Sequence, residues 1–272
     1  MTLSTEQLKK AQSLLQKILD EVNRICEDNN IKYFLHYGTL IGAIRHNGFI
    51  PWDDDIDICM SRENYNKFCL VAKEKLQEEF ILQNEDTDEF FGGCYSKVIL
   101  KNTKWIENNA RDTKRKFVGL FIDIFPLDAI PENEKLQKKQ MLAYKIINML
   151  ICAKLDYSAS AYKEKNRFLY KISKIISVFF SLKYLKTKRR LLILKYSKTD
   201  SPLVTSIAFY ECSITRKEYI ENLTKHIFEG KQYYIPIEYD RMLKSIYGNY
   251  MSLPPIEKRV NHSIVEFDFG PY

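Results

Sequence analysis

Residues 36–60 read HYGTLIGAIRHNGFIPWDDDIDICM, and the order of residue types in this stretch decides the fold. The apolar run Tyr33, Phe34, Leu35 leads into Gly38 and Thr39, a pair that ends a strand and opens a helix. Backbone N–H groups exposed at such a helix start can cradle phosphate. Beyond a turn at Gly48 and Pro51, Asp55-Ile56-Asp57-Ile58 alternates carboxylates with β-branched apolar residues. Alternate side chains of a strand share a face. Asp55 and Asp57 therefore project together while Ile56 and Ile58 enter the core. Carboxylates held that close raise one pKa or recruit a cation, and Mg²⁺ prefers carboxylate and phosphate oxygens. Taken alone, the aspartate run also reads as a solvated polar turn, and Asp53 and Asp54 are assigned to that turn or to a supporting role.

Working outward, Ser4 and Gln7 form a helix start, and Leu8, Ala11, Leu14, Leu15, Ile18, Leu19, Val22 and Ile25 hold helical period to a stop near Asn29 and Asn30. Residues 31–35 form the first strand, 39–45 a helix, 55–60 the second strand and 62–78 another helix. Residues 80–83 and 95–100 are strands, with 103–107 as the hairpin partner of the latter. Residues 119–126, GLFIDIFP, make an apolar strand carrying one carboxylate, Asp123. A charge in such a run needs a partner or a metal. Asp128, beyond Pro126, reads as a turn or cap residue.

From 132 to 198 the pattern is two or three basic helices, broken at 156–161 and near Thr187. Between residues 163 and 198 Glu164 is the single acid among Lys163, Lys165, Arg167, Lys171, Lys174, Lys183, Lys186, Lys188, Arg189, Arg190, Lys195 and Lys198. This segment reads as a helical packing unit with a solvated basic side, or as a basic amphipathic face for an anionic membrane surface. A nucleic-acid partner is not expected, because no nucleic-acid motif accompanies the charge. Residues 203–211 and 226–235 are strand-like, the latter turning at 228–230, and 237–247 is a last helix. The irregular tail carries Tyr250, Arg259 and His262 as candidates to close over a site.

The 272 residues, 45% apolar, suffice for one large domain or two small ones. The net charge of +7 favours anionic partners. Cys26, Cys59, Cys69, Cys94, Cys152 and Cys212 form no Cys-Xaa-Xaa-Cys pair and read as reduced, mostly buried thiols. The N-terminus shows no export signal and no stretch is apolar for the ~18 residues a span requires. The expected location is cytoplasmic, with peripheral contact at the inner membrane face.

Residues 37–46 (YGTLIGAIRH), 48–57 (GFIPWDDDID) and 121–128 (FIDIFPLD), with 247–251 (YGNYM), 253–255 (LPP) and 259–262 (RVNH), resemble the LicD family, which shares its pattern with the fukutin group and the nucleotidyltransferase fold. The resemblance implies an α+β protein. A nucleotidyltransferase-like mixed sheet with flanking helices would occupy residues 1–131, a basic helical segment 132–200, and a C-terminal lid-like region 201–272 packing back on the core. It assigns Asp55, Asp57 and Asp123 as metal ligands and catalytic residues, with Gly38 and Thr39 on the phosphate side. Arg45 and Lys97 are candidates for phosphate oxygens, Trp52 for the choline cation and His262 for closing the site. The insert from Leu40 to Asp54 is longer than in typical nucleotidyltransferases, though usual for LicD-like proteins.

The implied reaction moves phosphocholine from CDP-choline to a sugar hydroxyl of a cell-surface glycan, teichoic acid or lipid-linked oligosaccharide precursor, with Mg²⁺ or Mn²⁺, releasing CMP. Glycerol phosphate or ribitol phosphate from another CDP-alcohol donor is the alternative within the class. A non-catalytic nucleotide- or glycan-binding module and a membrane-surface adaptor are the rivals outside it.

Overall fold

In the computed structural model, which describes residues 3–107, 116–157, 164–209, 214–262 and 264–272, the chain opens on α1 (Thr5–Asp28). Ser4 and Gln7 close a reciprocal capping box. The apolar stripe from Ala11 to Ile25 is buried against the sheet, as its period requires. The remaining core elements are β1 (Phe34–Leu35), α2 (Tyr37–His46), β2 (Asp57–Ser61), α3 (Arg62–Lys75), β3 (Phe80–Gln83), β4 (Ser96–Leu100), β5 (Lys104–Glu107) and β6 (Phe121–Ala129). Three helices follow: α4 (Glu134–Lys154), α5 (Glu164–Ser177) and α6 (Leu182–Ile193). The C-terminal part holds β7 (Leu203–Thr205), β8 (Thr215–Arg216), α7 (Glu218–Glu221), β9 (Leu223–Phe228), β10 (Lys231–Pro236), α8 (Tyr239–Tyr247) and β11 (Ile264–Asp268).

The fold is α+β, built on a mixed sheet of order β1-β2-β6-β4-β3, with β7 joined to the far end of β6 and β8 to β7. Strands β2 and β6 run parallel and the other pairs antiparallel. The main core takes residues from α1 and the central strands, and also Phe228, Tyr233, Met242 and Ile264 from the C-terminal part. A satellite cluster of Ile130, Met141, Tyr144, Ile193 and Ile207 sits under α4 and α6. The β9–β10 hairpin turns at Glu229 and Gly230, both at positive φ, as the Phe-Glu-Gly sequence requires.

Several local expectations are corrected by long-range pairing. Strand β1 is shorter than residues 31–35, because the Ile31 N–H is spent on Cys26 O and the Lys32 N–H on Asn64 Oδ1. Strand β5 pairs with β11 instead of folding back as a hairpin on β4, both of whose edges are taken by β3 and β6. Asp128 is no turn residue: it lies inside β6, buried, in a bidentate pair with Arg62 at 2.6 and 2.7 Å. The helix break expected near Thr187 falls at 178–181, where Ser181 caps α6, and Thr187 lies within that helix. The strand expected over 203–211 stops at Thr205. Residues 210–211, Lys163, Cys212 and most of the break at 156–161 lie outside the described residues.

Candidate active site

Strand register assembles the site. In the parallel β2–β6 pair Asp57 stands opposite Asp123, and in the antiparallel β4–β6 pair Lys97 stands opposite Asp123. Side chains opposite one another in a sheet share a face, so Asp57, Asp123 and Lys97 form a row across three strands. Lys97 Nζ lies 2.9 Å from Asp123 Oδ1, which gives the carboxylate of the apolar strand its partner. At the other end of the row, the His36 N–H donates to Asp57 O at 3.0 Å. The His36 imidazole is fully buried beside the Phe34 and Tyr37 rings, with both ring nitrogens unpartnered, and burial pushes its pKa down to about 3.

The strand-to-helix turn holds Asp57 from below. The left-handed residue is Tyr37, at φ 47°, and α2 already begins there rather than at Thr39. Gly38 lies close to the carboxylate set: a Cβ at this position would stand 3.0 Å from Asp53 Oδ2, so a larger residue would push on that side chain. Thr39 is buried, and its Oγ1 accepts the Asp57 N–H at 2.9 Å, so its hydroxyl positions the carboxylate strand.

The carboxylates crowd one another. Burial first, and then the charges of Asp55, Asp123 and Asp53, push Asp57 well above the usual carboxylate range. Asp53 rises to about 8 through burial and the neighbouring Asp55. Asp123 rises to about 6 through burial, with Lys97 opposing, and burial also raises Asp55. An oxygen-rich set short of positive charge fits a hard divalent cation.

The C-terminal tail reaches over this set. The His262 backbone N–H and Nδ1 contact Asp54 Oδ1 at 3.1 and 2.8 Å, and Nδ1 stands 3.9 Å from Asp55 Oδ2. Its hydrogen bond to Asp54, aided by the Asp55 charge, raises His262 to about 10 and places a cation over the acids. Asp54, Asp55 and His262 bring one ligand atom each within 4.8 Å of one another. The Asp54–His262 bond already engages two of those atoms, while Asp54 Oδ2 is buried without a hydrogen-bond partner.

Arg45 and Trp52, predicted for phosphate and for choline, both have partners within the chain. Arg45 donates from Nη1 to Tyr250 O at 2.9 Å and from Nε to His46 Nε2 at 2.9 Å, tying α2 to the tail. Trp52 carries the Arg259 guanidinium 5.3 Å from its ring centroid. Only the aspartate run itself pointed to Asp53, which joins the carboxylate set from the turn before β2, its N–H donating to Ile50 O at 2.8 Å. His36 gave no comparable signal.

The raised carboxylates make the metal-free protein sensitive to pH. Their pKa in the unfolded chain is near 3.8, so their protonated folded forms favour folding at low pH, and this contribution is lost as pH rises through about 6 for Asp123 and 8 for Asp53. His262 runs the same way, and its contribution is lost as pH approaches about 10. His36 has the opposite sign but is constant above its ordinary value of 6.5. Calorimetry of metal-free protein is expected to show Tm falling from pH 6.5 to about 8. Asp53→Asn and excess Mg²⁺ should each flatten the fall. A level profile for the wild type contradicts the crowding described.

Residues 30–151 match the family model described as LicD/FKTN/FKRP, nucleotidyltransferase domain. The chain is 31% identical over 265 residues to the lipopolysaccharide cholinephosphotransferase LicD of Haemophilus influenzae, covering 95% of this chain and 97% of that protein. It is also 30% identical over 148 residues to an uncharacterized protein of Rickettsia typhi, covering 54% of this chain and 44% of that one. Over 71 residues it is 45% identical to an uncharacterized protein of Rickettsia prowazekii, covering 24% and 26% of the two chains. The family match encloses the whole 36–60 stretch, Lys97 and Asp123, and the Haemophilus match extends the likeness to nearly full length: the chain belongs to the LicD family of transferases.

Proposed function

We propose that this protein transfers phosphocholine from CDP-choline to a sugar hydroxyl of a cell-surface glycan, releasing CMP, and that the reaction needs a divalent cation. The observation that carries the reading is the row Asp57, Asp123, Lys97 with Asp53 and Asp55 beside it, in a chain alike over nearly its full length to a cholinephosphotransferase. Asp55, Asp57 and Asp123 would hold Mg²⁺ or Mn²⁺, which when bound neutralises charge on the diphosphate and its leaving group.

The chain's own groups do the rest. The amides at the start of α2, Gly38 and Thr39, face the phosphate end of the donor. Burial raises Asp123 to about 6, and its carboxylate takes the proton of the attacking hydroxyl. Lys97, 2.9 Å away, keeps that carboxylate ionised until the transfer and favours the developing phosphate charge. His262, protonated over Asp54 and Asp55, adds positive charge where the tail closes the site. A quaternary ammonium cannot accept or donate hydrogen bonds and is held by aromatic faces. Trp52, which already takes a guanidinium on its ring, is proposed for that part.

The test measures CMP release from CDP-choline, CDP-glycerol and CDP-ribitol, with a lipopolysaccharide-derived oligosaccharide acceptor, in Mg²⁺ and in EDTA. Acceptor-dependent CMP from CDP-choline that EDTA abolishes is the expected result. Release from another CDP-alcohol alone reassigns the donor, and release from none of them overturns the transferase reading.

A further inference from the structure

Helix α5 is folded with its apolar stripe facing out. Among its described side chains Tyr170, Ser173 and Ser177 are buried, while Phe168, Ile172, Ile175 and Ile176 are exposed. The spacing of the exposed four places them on one helical face, and Phe179 continues the patch in the turn after the helix. Ile175 is 69% and Phe179 82% exposed. Polar contacts with the end of α4 fix this orientation. Tyr170 Oη donates to Cys152 O at 3.3 Å and to Tyr157 O, and Lys154 Nζ donates to Ser177 O at 2.9 Å. Ordinary amphipathic packing would turn the isoleucines inward and the serines outward, so the exposed stripe calls for an apolar environment outside the chain.

The surroundings of the stripe select the partner. Residues 167–198 contain ten lysines and arginines and no acid. Some of these charges are used internally: Arg189 and Arg190 pair with Glu85 and Asp86, and Lys174 with Asp156. Lys171, on the flank of the stripe, and Lys183, in the first turn of α6, are exposed beside the patch, and Phe180 stacks on Tyr184 at 5.6 Å. A second copy of this chain would bring like charges together across a two-fold contact. A phospholipid surface offers acyl chains to the isoleucines and phosphates to the lysines at the same depth. No helix of the described residues is long and apolar enough to cross a membrane, so contact of α5 with lipid would run along the surface.

We propose that the outward face of α5 and the α5–α6 turn dock on an anionic phospholipid surface, with Ile175 and Phe179 entering the headgroup region and Lys171 and Lys183 meeting lipid phosphates. The proposal is independent of the transfer reaction and stands or falls without it. The full chain is expected to sediment with vesicles of phosphatidylcholine and phosphatidylglycerol, and not with phosphatidylcholine alone. Raising NaCl to about 0.5 M should release much of it.

The double variant Ile175→Gln, Phe179→Gln is expected to partition at least about tenfold more weakly. Lys171→Ala and Lys183→Ala should each weaken binding about fivefold, the equivalent of ~1 kcal/mol per lysine. All four side chains are exposed, and unchanged circular-dichroism melts show that the variants fold. Absence of vesicle binding, equal binding to neutral vesicles, or full binding by the glutamine variant overturns the proposal. A solution dimer by light scattering that the glutamine variant dissolves also overturns it, by giving the face to a second copy.

Discussion

Asp57→Asn is expected to lower kcat for CMP release by on the order of 100 to 1,000-fold while raising the Tm of the metal-free protein. The two effects have opposite signs for one reason. Asp57 opens β2, its N–H pinned by Thr39 Oγ1, and its carboxylate faces Asp123, Asp55 and Asp53. In the absence of a cation those charges oppose one another and hold Asp57 well above its ordinary range. Asparagine keeps the shape, removes a charge and relieves the crowding, so folding gains. The same exchange removes an oxygen charge from the set that would hold the cation, so transfer loses. A residue with a merely structural role would lose activity and stability together. Parallel measurement of kcat in Mg²⁺ and of Tm in EDTA separates the cases, and a fall in both would remove Asp57 from the proposed machinery. Asp123→Asn should also lose transfer, but it leaves Lys97 buried without its carboxylate, so its Tm should not rise.

Arg189→Ala is expected to cost about 3 to 5 kcal/mol of unfolding free energy, among the largest effects of any single substitution in this chain. Arg189 is fully buried between α6 and the loop that leads into β4. Its Nη1 donates to Gly92 O at 2.6 Å, and its Nη2 donates to Gly93 O at 3.0 Å and pairs with Glu85. Burial opposes the charge, but the surrounding groups more than offset it and raise the pKa further. Alanine leaves two carbonyls and Asn148 Oδ1 without their donor, and leaves the largely buried Glu85 with Arg190 3.7 Å away in place of its close partner. Lysine should recover little, since a single ammonium cannot serve two carbonyls and a carboxylate in a planar fork. Urea unfolding measures the loss, and Glu85→Gln in the Arg189→Ala background should return part of it by removing the carboxylate charge. Additive costs in that double variant would mean that the pair is not coupled.

The 36–60 stretch, the alternation around Asp57, the capping box of α1, the β9–β10 turn and the lone carboxylate in β6 could all be read from the sequence. Each depends on neighbours a few residues away, through helix or strand period, turn geometry or charge in an apolar run. The tertiary structure alone decided partnership. It paired β5 with β11 and moved Asp128 from a turn into a buried pair with Arg62. Arg189, read as part of a solvated basic side, became the buried clamp of a loop, while the isoleucines of α5 were turned outward. His262 reaches Asp54 across 208 residues of chain. Local pattern determined which residues make a strand and which face they share. Which carboxylate meets Lys97, which meets His262 and which shares its charge with others depends on register and on the path of distant segments, and that register sets the electrostatics on which the proposed chemistry rests.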